Sequence, residues 1–388
     1  MASVNILLQQ LTIFGESSGL VINASKSSIF FAGVSENMKQ AILSLSQFTE
    51  GSFPFKYLGV PLSPHRLLAS QYSPLIHRLE SAIQNWMGKY LSYAGRLELI
   101  KSVLHGMVQF WISIFPIPVV VISRITSLCR NFLWTGDMLR NKSALVAWKQ
   151  VCLPKYEGGL GVLDIKARND SFFAKHLWNI HLKADSLWIR WNDYPLWRVA
   201  PVQQLFSSWH SGTSNFTANA YDFLRLKSDP VHWANVVWEQ WSLPRHSFSL
   251  WLAMLGKLQT RDRLQFLSPD PICPLCQSAD ESHAHLFFNC DWSSSLWRKV
   301  RFWLKLYSNM ASLSRATSVL QNNKKGLQPR MRRVSLVVLV YLIWEERNKR
   351  IFESTSKSVE AVFRKFQILF YTILYFHEKN HLAYNVAF

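Results

Sequence analysis

The chain has 388 residues, enough for two or three domains with real cores. It is 49% apolar and only 17% charged, with 15 Gly and 15 Pro, which excludes disorder, collagen and simple linker as its main state. Lys and Arg number 43 against 24 Asp and Glu, a net charge of +19, and 17 Trp, 25 Phe and 12 Tyr make a heavy aromatic load. Such a chain points toward a polyanion such as nucleic acid, with plain basicity as the competing reading. The five cysteines are an odd number, and three of them fall between Cys273 and Cys290. That pattern is no secreted disulfide framework, so a reducing, intracellular location (nucleus or cytoplasm) is expected. The opening Met1-Ala2-Ser3-Val4-Asn5 has no basic flank and no cleavage site, so no signal peptide is expected.

In chain order, the first 60 or so residues read as short mixed elements. Val21 to Phe31 alternates loosely around Asn23 and Lys26, and Ser35 to Ser46 has helical spacing at Met38, Ile42 and Leu45. Phe55 to Leu62, with Gly59 inside and Pro61 near its end, predicts a bent or edge hairpin strand. From Pro74 the period becomes helical. Leu75, Leu79, Ile83 and Trp86 form one stripe and Leu91, Leu97, Ile100 and Leu104 a second, with Arg78, Lys89, Arg96 and Lys101 on or beside the polar faces. A third helix is expected over Ile122 to Phe132, stopping at Thr135-Gly136.

Two apolar runs approach a membrane span. Leu104 to Ile122 is uncharged, but His105, Gln109 and Pro116-Ile117-Pro118 divide it, and Val334 to Trp344 is about half of the ~20 residues needed. Both are expected in the core, with no membrane partner. Gly158-Gly159-Leu160-Gly161 lacks the Gly-Lys-Ser/Thr continuation of a phosphate loop and predicts a turn. A helix over Ala167 to Leu182 should bury Phe172, Phe173, Leu177 and Ile180, residues 199–220 make the best boundary, and Trp233 to Leu267 is aromatic and helix-like. Between Arg298 and Lys365 stand 16 Lys and Arg against four Glu, so the basicity is concentrated there. Arg330, Arg332 and Arg333, then Arg347, Lys349 and Arg350, flank the apolar run and could track a phosphate backbone or form a solvated helix face.

The sharpest chemical signal is Cys273-x2-Cys276-x8-His285-x4-Cys290. A two-residue gap aims two thiolates at one centre, and a further S and N donor complete the tetrahedron Zn2+ prefers, which makes the site structural because no position stays open for water. His285 is the preferred third ligand, His283 its rival, and ordinary buried thiols the alternative to any metal. No Asp-Asp pair occurs, and Asp164, Asp170 and Asp262 stand alone, so nothing frames a two-metal site. Gly15-Glu16-Ser17-Ser18-Gly19 matches a nucleophile-elbow pattern without its surroundings and is expected to be a chance turn.

Several blocks together resemble one family, the reverse transcriptases of plant-type LINE (non-LTR) retrotransposons. Ser18-Gly-Leu-Val-Ile-Asn23-Ala-Ser-Lys26-Ser27 resembles the segment after the catalytic acids of the palm, and Phe55-Lys-Tyr57-Leu58-Gly59-Val60-Pro61-Leu62 the primer-grip hairpin. Leu91-Ser-Tyr-Ala-Gly95-Arg96-Leu-Glu-Leu-Ile100-Lys101-Ser102 and Phe132-Leu-Trp134-Thr-Gly136 are similar to the helical thumb and the stretch after it, and Lys155 through Leu160 to the connection. Pro244-Arg245-His246-x-Phe248-x-x-Trp251, Thr260-Arg261-Asp262-Arg263-Leu264 and the cysteine cluster resemble the reverse transcriptase zinc-binding domain, and Ile343-Trp344-Glu-Glu-Arg347-Asn348-Lys-Arg350-Ile-Phe352 a common C-terminal ending. The resemblance runs from about residue 10 to about 365, in the family's order.

The resemblance implies a mainly α chain with α+β parts. Residues 1–62 would be a truncated palm remnant with the primer-grip hairpin, 63–150 a helical thumb-like region, 151–220 a connection and linker, 221–300 the zinc-binding domain and 301–388 basic helices. It places the family's Tyr/Phe-Ala-Asp-Asp upstream of Ser18, outside this chain, so no catalytic residue and no polymerase activity by the chain alone are expected. Tyr57, Leu58 and Gly59 would form the primer-grip turn, and the helices around Arg96 and Lys101 would lie along a template-primer minor groove. The expected function is sequence-tolerant RNA or DNA binding by a zinc-dependent fold. A relic or structural zinc protein that binds no nucleic acid is the alternative.

Overall fold

The computed structural model describes residues 2–20, 22–63, 67–138, 143–181, 216–264, 270–306, 308, 310–321 and 326–386. They fall into two compact units, Met1–Pro74 and Leu75–Phe388. Helices dominate, as the sequence predicts, and the described strands are two to three residues long.

In the first unit, α1 (Ala2–Ser18) leaves Ile6, Leu7, Ile13 and Phe14 exposed. Gly19 comes next at φ 70°, its N–H donating to the Gly15 carbonyl. The Gly-x-Ser-x-Gly match is therefore the last turn and cap of a helix rather than a loop, and the Ser17 hydroxyl is spent on the Ile13 carbonyl. β1 (Ser28–Ile29) pairs in parallel with β2 (Thr49–Glu50) across α2 (Glu36–Ser46), a connection that parallel pairing requires. β3 (Phe55–Tyr57) and β4 (Val60–Leu62) form the expected hairpin, with Tyr57 opposite Val60. Its two turn residues, Leu58 at φ 50° and Gly59 at φ 85°, are both left-handed, the geometry that matches the twist of a tight hairpin.

The second unit takes up α3 (Ser73–Trp86) from Leu75, with Leu75, Leu79 and Ile83 buried. Ser92 caps α4 (Tyr93–Leu99), which continues through a π turn (Ile100–Leu104) into α5 (His105–Ile114). Pro116 and Pro118 break the apolar run as predicted. α6 (Val119–Thr135) starts three residues before Ile122 because Pro118 occupies its N-cap, and stops at Gly136, φ 74°. After α7 (Trp148–Cys152) the Gly-rich segment is a turn. A Cβ on Gly159 would lie 2.0 Å from the Leu153 carbonyl oxygen, so no other residue fits there.

α8 (Ile165–His181) differs from expectation in its buried face. Ile165, Ala167 and Ser171 are buried, whereas Phe173 is 50% exposed and Phe172 and Leu177 are half-buried. The inner face is set by packing against α5, α6 and α9 (Phe216–Leu224), where Trp178 stacks on Phe216, and Phe173 falls on the far side. The side chain of Ile180, Leu182 and residues 199–215 of the boundary expected over 199–220 lie outside the described residues, while residues 216–220 are helical.

Beyond α9 come α10 (Ala234–Val237), α11 (Pro244–Met254), α12 (Asp291–Trp303), α13 (Leu313–Leu320), α14 (Leu327–Phe352) and α15 (Val359–Val386). α14 packs against α10, α11, α13 and α15, and for that reason it is buried nearly all round from Val334 to Ile343. No helix among the described residues is long and apolar enough to cross a membrane.

Candidate metal centre

The cysteine-rich loop between α11 and α12 is short of regular structure, and its backbone is held by local bonds. Ile272 and Asp280 form an antiparallel bridge, the Cys273 N–H donates to the Ala279 carbonyl (2.8 Å), and Gln277, at φ 56°, donates to the Cys273 carbonyl (2.9 Å). This knuckle turns the Cys273 and Cys276 sulfurs to one side. The chain then enters a π turn, His285–Asn289, in which the Cys290 N–H reaches the His285 carbonyl at 2.8 Å. The wider turn brings His285 and Cys290 to the same point, and Cys290 serves as N-cap of α12.

The four donor atoms of Cys273, Cys276, His285 and Cys290 all lie within 4.8 Å of one another. Cys273 Sγ and Cys290 Sγ are 4.0 Å apart, and Cys276 Sγ and His285 Nε2 are 3.3 Å apart. Zn–S and Zn–N bonds of about 2.3 and 2.0 Å set tetrahedral edges of about 3.8 Å (S to S) and about 3.5 Å (S to N), so the donor set fits zinc. The hydrogen bond from Cys273 lowers the pKa of the Cys290 thiol, and the same bond raises that of the Cys273 thiol. His283 is not in the cluster. Burial lowers its pKa, and its ring lies 5.1 Å from that of Phe287.

The cluster is braced by α14. Between Cys276 and His285 stands Glu281, with a fully buried side chain. Its Oε1 accepts from Arg347 Nε and its Oε2 from Arg347 Nη2, both at 2.8 Å, and Oε2 also accepts the Arg261 backbone N–H at 2.7 Å. Arg350 donates from Nη1 to the carbonyls of Pro274 (3.2 Å) and Leu275 (2.8 Å) inside the knuckle, and Glu346 fixes its Nε at 3.0 Å. Two arginines one turn apart thus clamp both halves of the loop.

The remaining basic residues divide by environment. Arg333 is buried and paired with Glu239. Neither a phosphate contact nor a solvated face describes Arg333 and Arg347, whose charges are matched by carboxylates inside the protein. Arg330 lies over the Trp241 ring (5.2 Å), Arg332 is exposed and Lys349 half-exposed. Arg96 Nη1 donates to the Leu133 carbonyl (3.3 Å) and Lys101 Nζ to the Leu160 carbonyl (2.6 Å), both ties within the helical second unit. Tyr57, Leu58 and Gly59 are exposed at the hairpin tip of the first unit. Sequence reasoning misses Glu281, Glu239 and Glu346, the acids that neutralise the arginines. Their one signal is scarcity, since few carboxylates stand among so many cations.

Residues 216–297 match the family described as zinc-binding in reverse transcriptase. A protein of Arabidopsis thaliana named as a ribonuclease H protein is 36% identical over 129 residues, a match covering 33% of this chain and 21% of that relative. The match therefore spans about a fifth of the relative's length.

Proposed function

We propose that this chain is a retrotransposon-derived, plant LINE-type reverse transcriptase region that acts as a zinc-stabilised nucleic-acid-binding protein, a reading supported by the match of residues 216–297 to the zinc-binding family of reverse transcriptases. Cys273, Cys276, His285 and Cys290 hold one structural Zn2+, and the closed donor set is the observation that carries this reading. Four protein donors leave no position for a water or substrate, so the metal supports the fold instead of chemistry. When bound, the ion joins the knuckle to the start of α12.

The fold so held binds RNA or DNA through phosphates, without regard to sequence. Arg330, Arg332 and Lys349 are the accessible members of the basic set on α14, and Arg96 and Lys101, with the Tyr57-Leu58-Gly59 hairpin, are the contacts suggested by the family resemblance. Arg333, Arg347 and Arg350 serve the fold. The segments assigned from the resemblance, 1–62, 63–150, 151–220, 221–300 and 301–388, are part of the same proposal. Strand extension is not expected from this polypeptide alone, because its sequence contains no Asp-Asp pair to hold two divalent ions.

Filter binding against salt tests the reading. The logarithm of affinity should fall steeply and linearly with the logarithm of salt concentration for both RNA and DNA. A flat salt dependence, or no binding at low salt, refutes it and favours a structural zinc protein.

A further inference from the structure

At the C-terminal end of α12 lies a groove of about 440 Å3 lined by Phe288, Trp297, Arg298, Arg301, Phe302 and Leu306, among others. Its size suits a nucleoside-sized group. Phe288 and Trp297 stack with ring centroids 5.2 Å apart and planes inclined by 24°. The Trp297 indole N–H donates to the Phe287 carbonyl and the Ser294 hydroxyl to the Phe288 carbonyl, each at 2.7 Å. These two rings are therefore fixed by the same turn that carries His285 and Cys290.

Phe302 is placed differently. It is 85% exposed, a whole phenyl ring offered to solvent beside Arg301 and one helical turn after Arg298. Arg298 is exposed as well, with no carboxylate partner among the described residues. From Trp292 to Trp344 the sequence has ten Lys and Arg and not one Asp or Glu. The groove thus combines a free aromatic face with the cationic side chains of Arg298 and Arg301. An acidic peptide would satisfy the charge but offers no flat π surface, and a duplex keeps its base faces stacked inside. A single strand presents both groups at the spacing of one nucleotide.

We propose that this groove takes an unpaired base of single-stranded nucleic acid, with Phe302 as the stacking surface and Arg298 and Arg301 on the adjoining phosphates. The inference rests on the nucleic-acid reading above and narrows it to a strand type and a place. RNA and DNA share the required chemistry, and the test separates them.

The test uses the full zinc-loaded chain with three probes of equal length: single-stranded DNA and single-stranded RNA, each carrying 2-aminopurine, and a blunt DNA duplex. Stacking quenches the probe, so binding of one or both single strands should lower its fluorescence, and the arm with the larger quench identifies the preferred sugar. Phe302→Ala should weaken single-strand binding about 10-fold and abolish the quench, Phe302→Trp should retain both, and duplex affinity should stay within about two-fold in each. Arg298→Ala/Arg301→Ala should weaken single-strand binding further and reduce its salt slope. Phe302 is exposed, so its loss does not threaten the fold, and circular dichroism confirms that. Unchanged single-strand affinity and quench in Phe302→Ala overturns the groove while leaving salt-dependent duplex binding in place. Absence of binding to every probe overturns the nucleic-acid reading itself. Displacement of the single strand by an acidic peptide at equal concentration, with no quench, assigns the groove to a peptide and also overturns the proposal.

Discussion

Replacing Glu281 with Ala should be among the most damaging single changes to the zinc module. The carboxylate accepts three hydrogen bonds, two from Arg347 at 2.8 Å and one from the Arg261 backbone at 2.7 Å, and the two side chains are 0% and 3% exposed. Its removal leaves a guanidinium without a counter-ion in a place water does not reach. The Trp344 face, 4.8 Å from the guanidinium carbon, and the Asn348 side-chain oxygen at 3.0 Å remain, and neither carries the missing charge. Breaking a buried pair by deleting one partner costs about 3–5 kcal/mol, and the orphaned Arg261 N–H adds about 1 kcal/mol. Urea unfolding of the zinc-loaded chain, monitored by tryptophan fluorescence, should show a lowered midpoint at unchanged slope. Glu281→Met/Arg347→Met should recover most of the loss, because two apolar side chains replace a matched pair. That double variant should also keep wild-type affinity for nucleic acid. A single-variant cost below about 1 kcal/mol, or a double variant no better than the single one, would refute the clamp.

Three further outcomes are expected at other sites. Burial, with Arg245 and Lys365 nearby, holds His246 down at about 3, and neither ring nitrogen has a partner among the described residues. The unfolded chain therefore takes up the proton first, so stability present above about pH 6.5 is lost as pH falls toward 3. His246→Phe should flatten that part of the stability profile without cost at pH 7, and an unchanged acid slope would count against it. Gly159→Ala forces a Cβ to within 2.0 Å of the Leu153 carbonyl oxygen and should lower stability by roughly 2 kcal/mol or more; a midpoint equal to wild type in thermal melting would contradict the turn geometry. Limited proteolysis should cut first before about residue 70, in the unit whose α1 buries no side chain, and mass spectrometry showing equal resistance along the chain would not fit.

Periodicity makes most helices visible because their apolar stripes are continuous. Leu75, Leu79 and Ile83 are buried as a helical repeat demands, and the Pro116 and Pro118 break and the Gly136 stop act locally, where sequence is informative. The buried face of α8 is not legible in this way, because Phe172, Phe173 and Leu177 lie at nearly helical spacing and only the neighbours α5, α6 and α9 decide which side turns inward. Spacing makes the four metal donors legible, since a two-residue knuckle is local chemistry. It does not reveal the clamp. Arg347 and Glu281 are 66 residues apart, and a basic cluster looks alike in sequence whether it meets phosphate or a buried acid. The preference for His285 over His283 depends on the π turn, which carries no sequence signature of its own, so spacing leaves both histidines open.

One zinc ion, held by four protein donors, is proposed to organise the module from which the basic helices take their shape. Metal analysis of the purified chain, beside Cys273→Ser/Cys276→Ser, tests it most directly. The expected result is one zinc per native chain, tetrahedral thiolate absorption on cobalt replacement, and loss of both metal and folded structure around Trp233 to Trp297 in the variant. A metal-free chain whose module is as stable as the loaded one would contradict it.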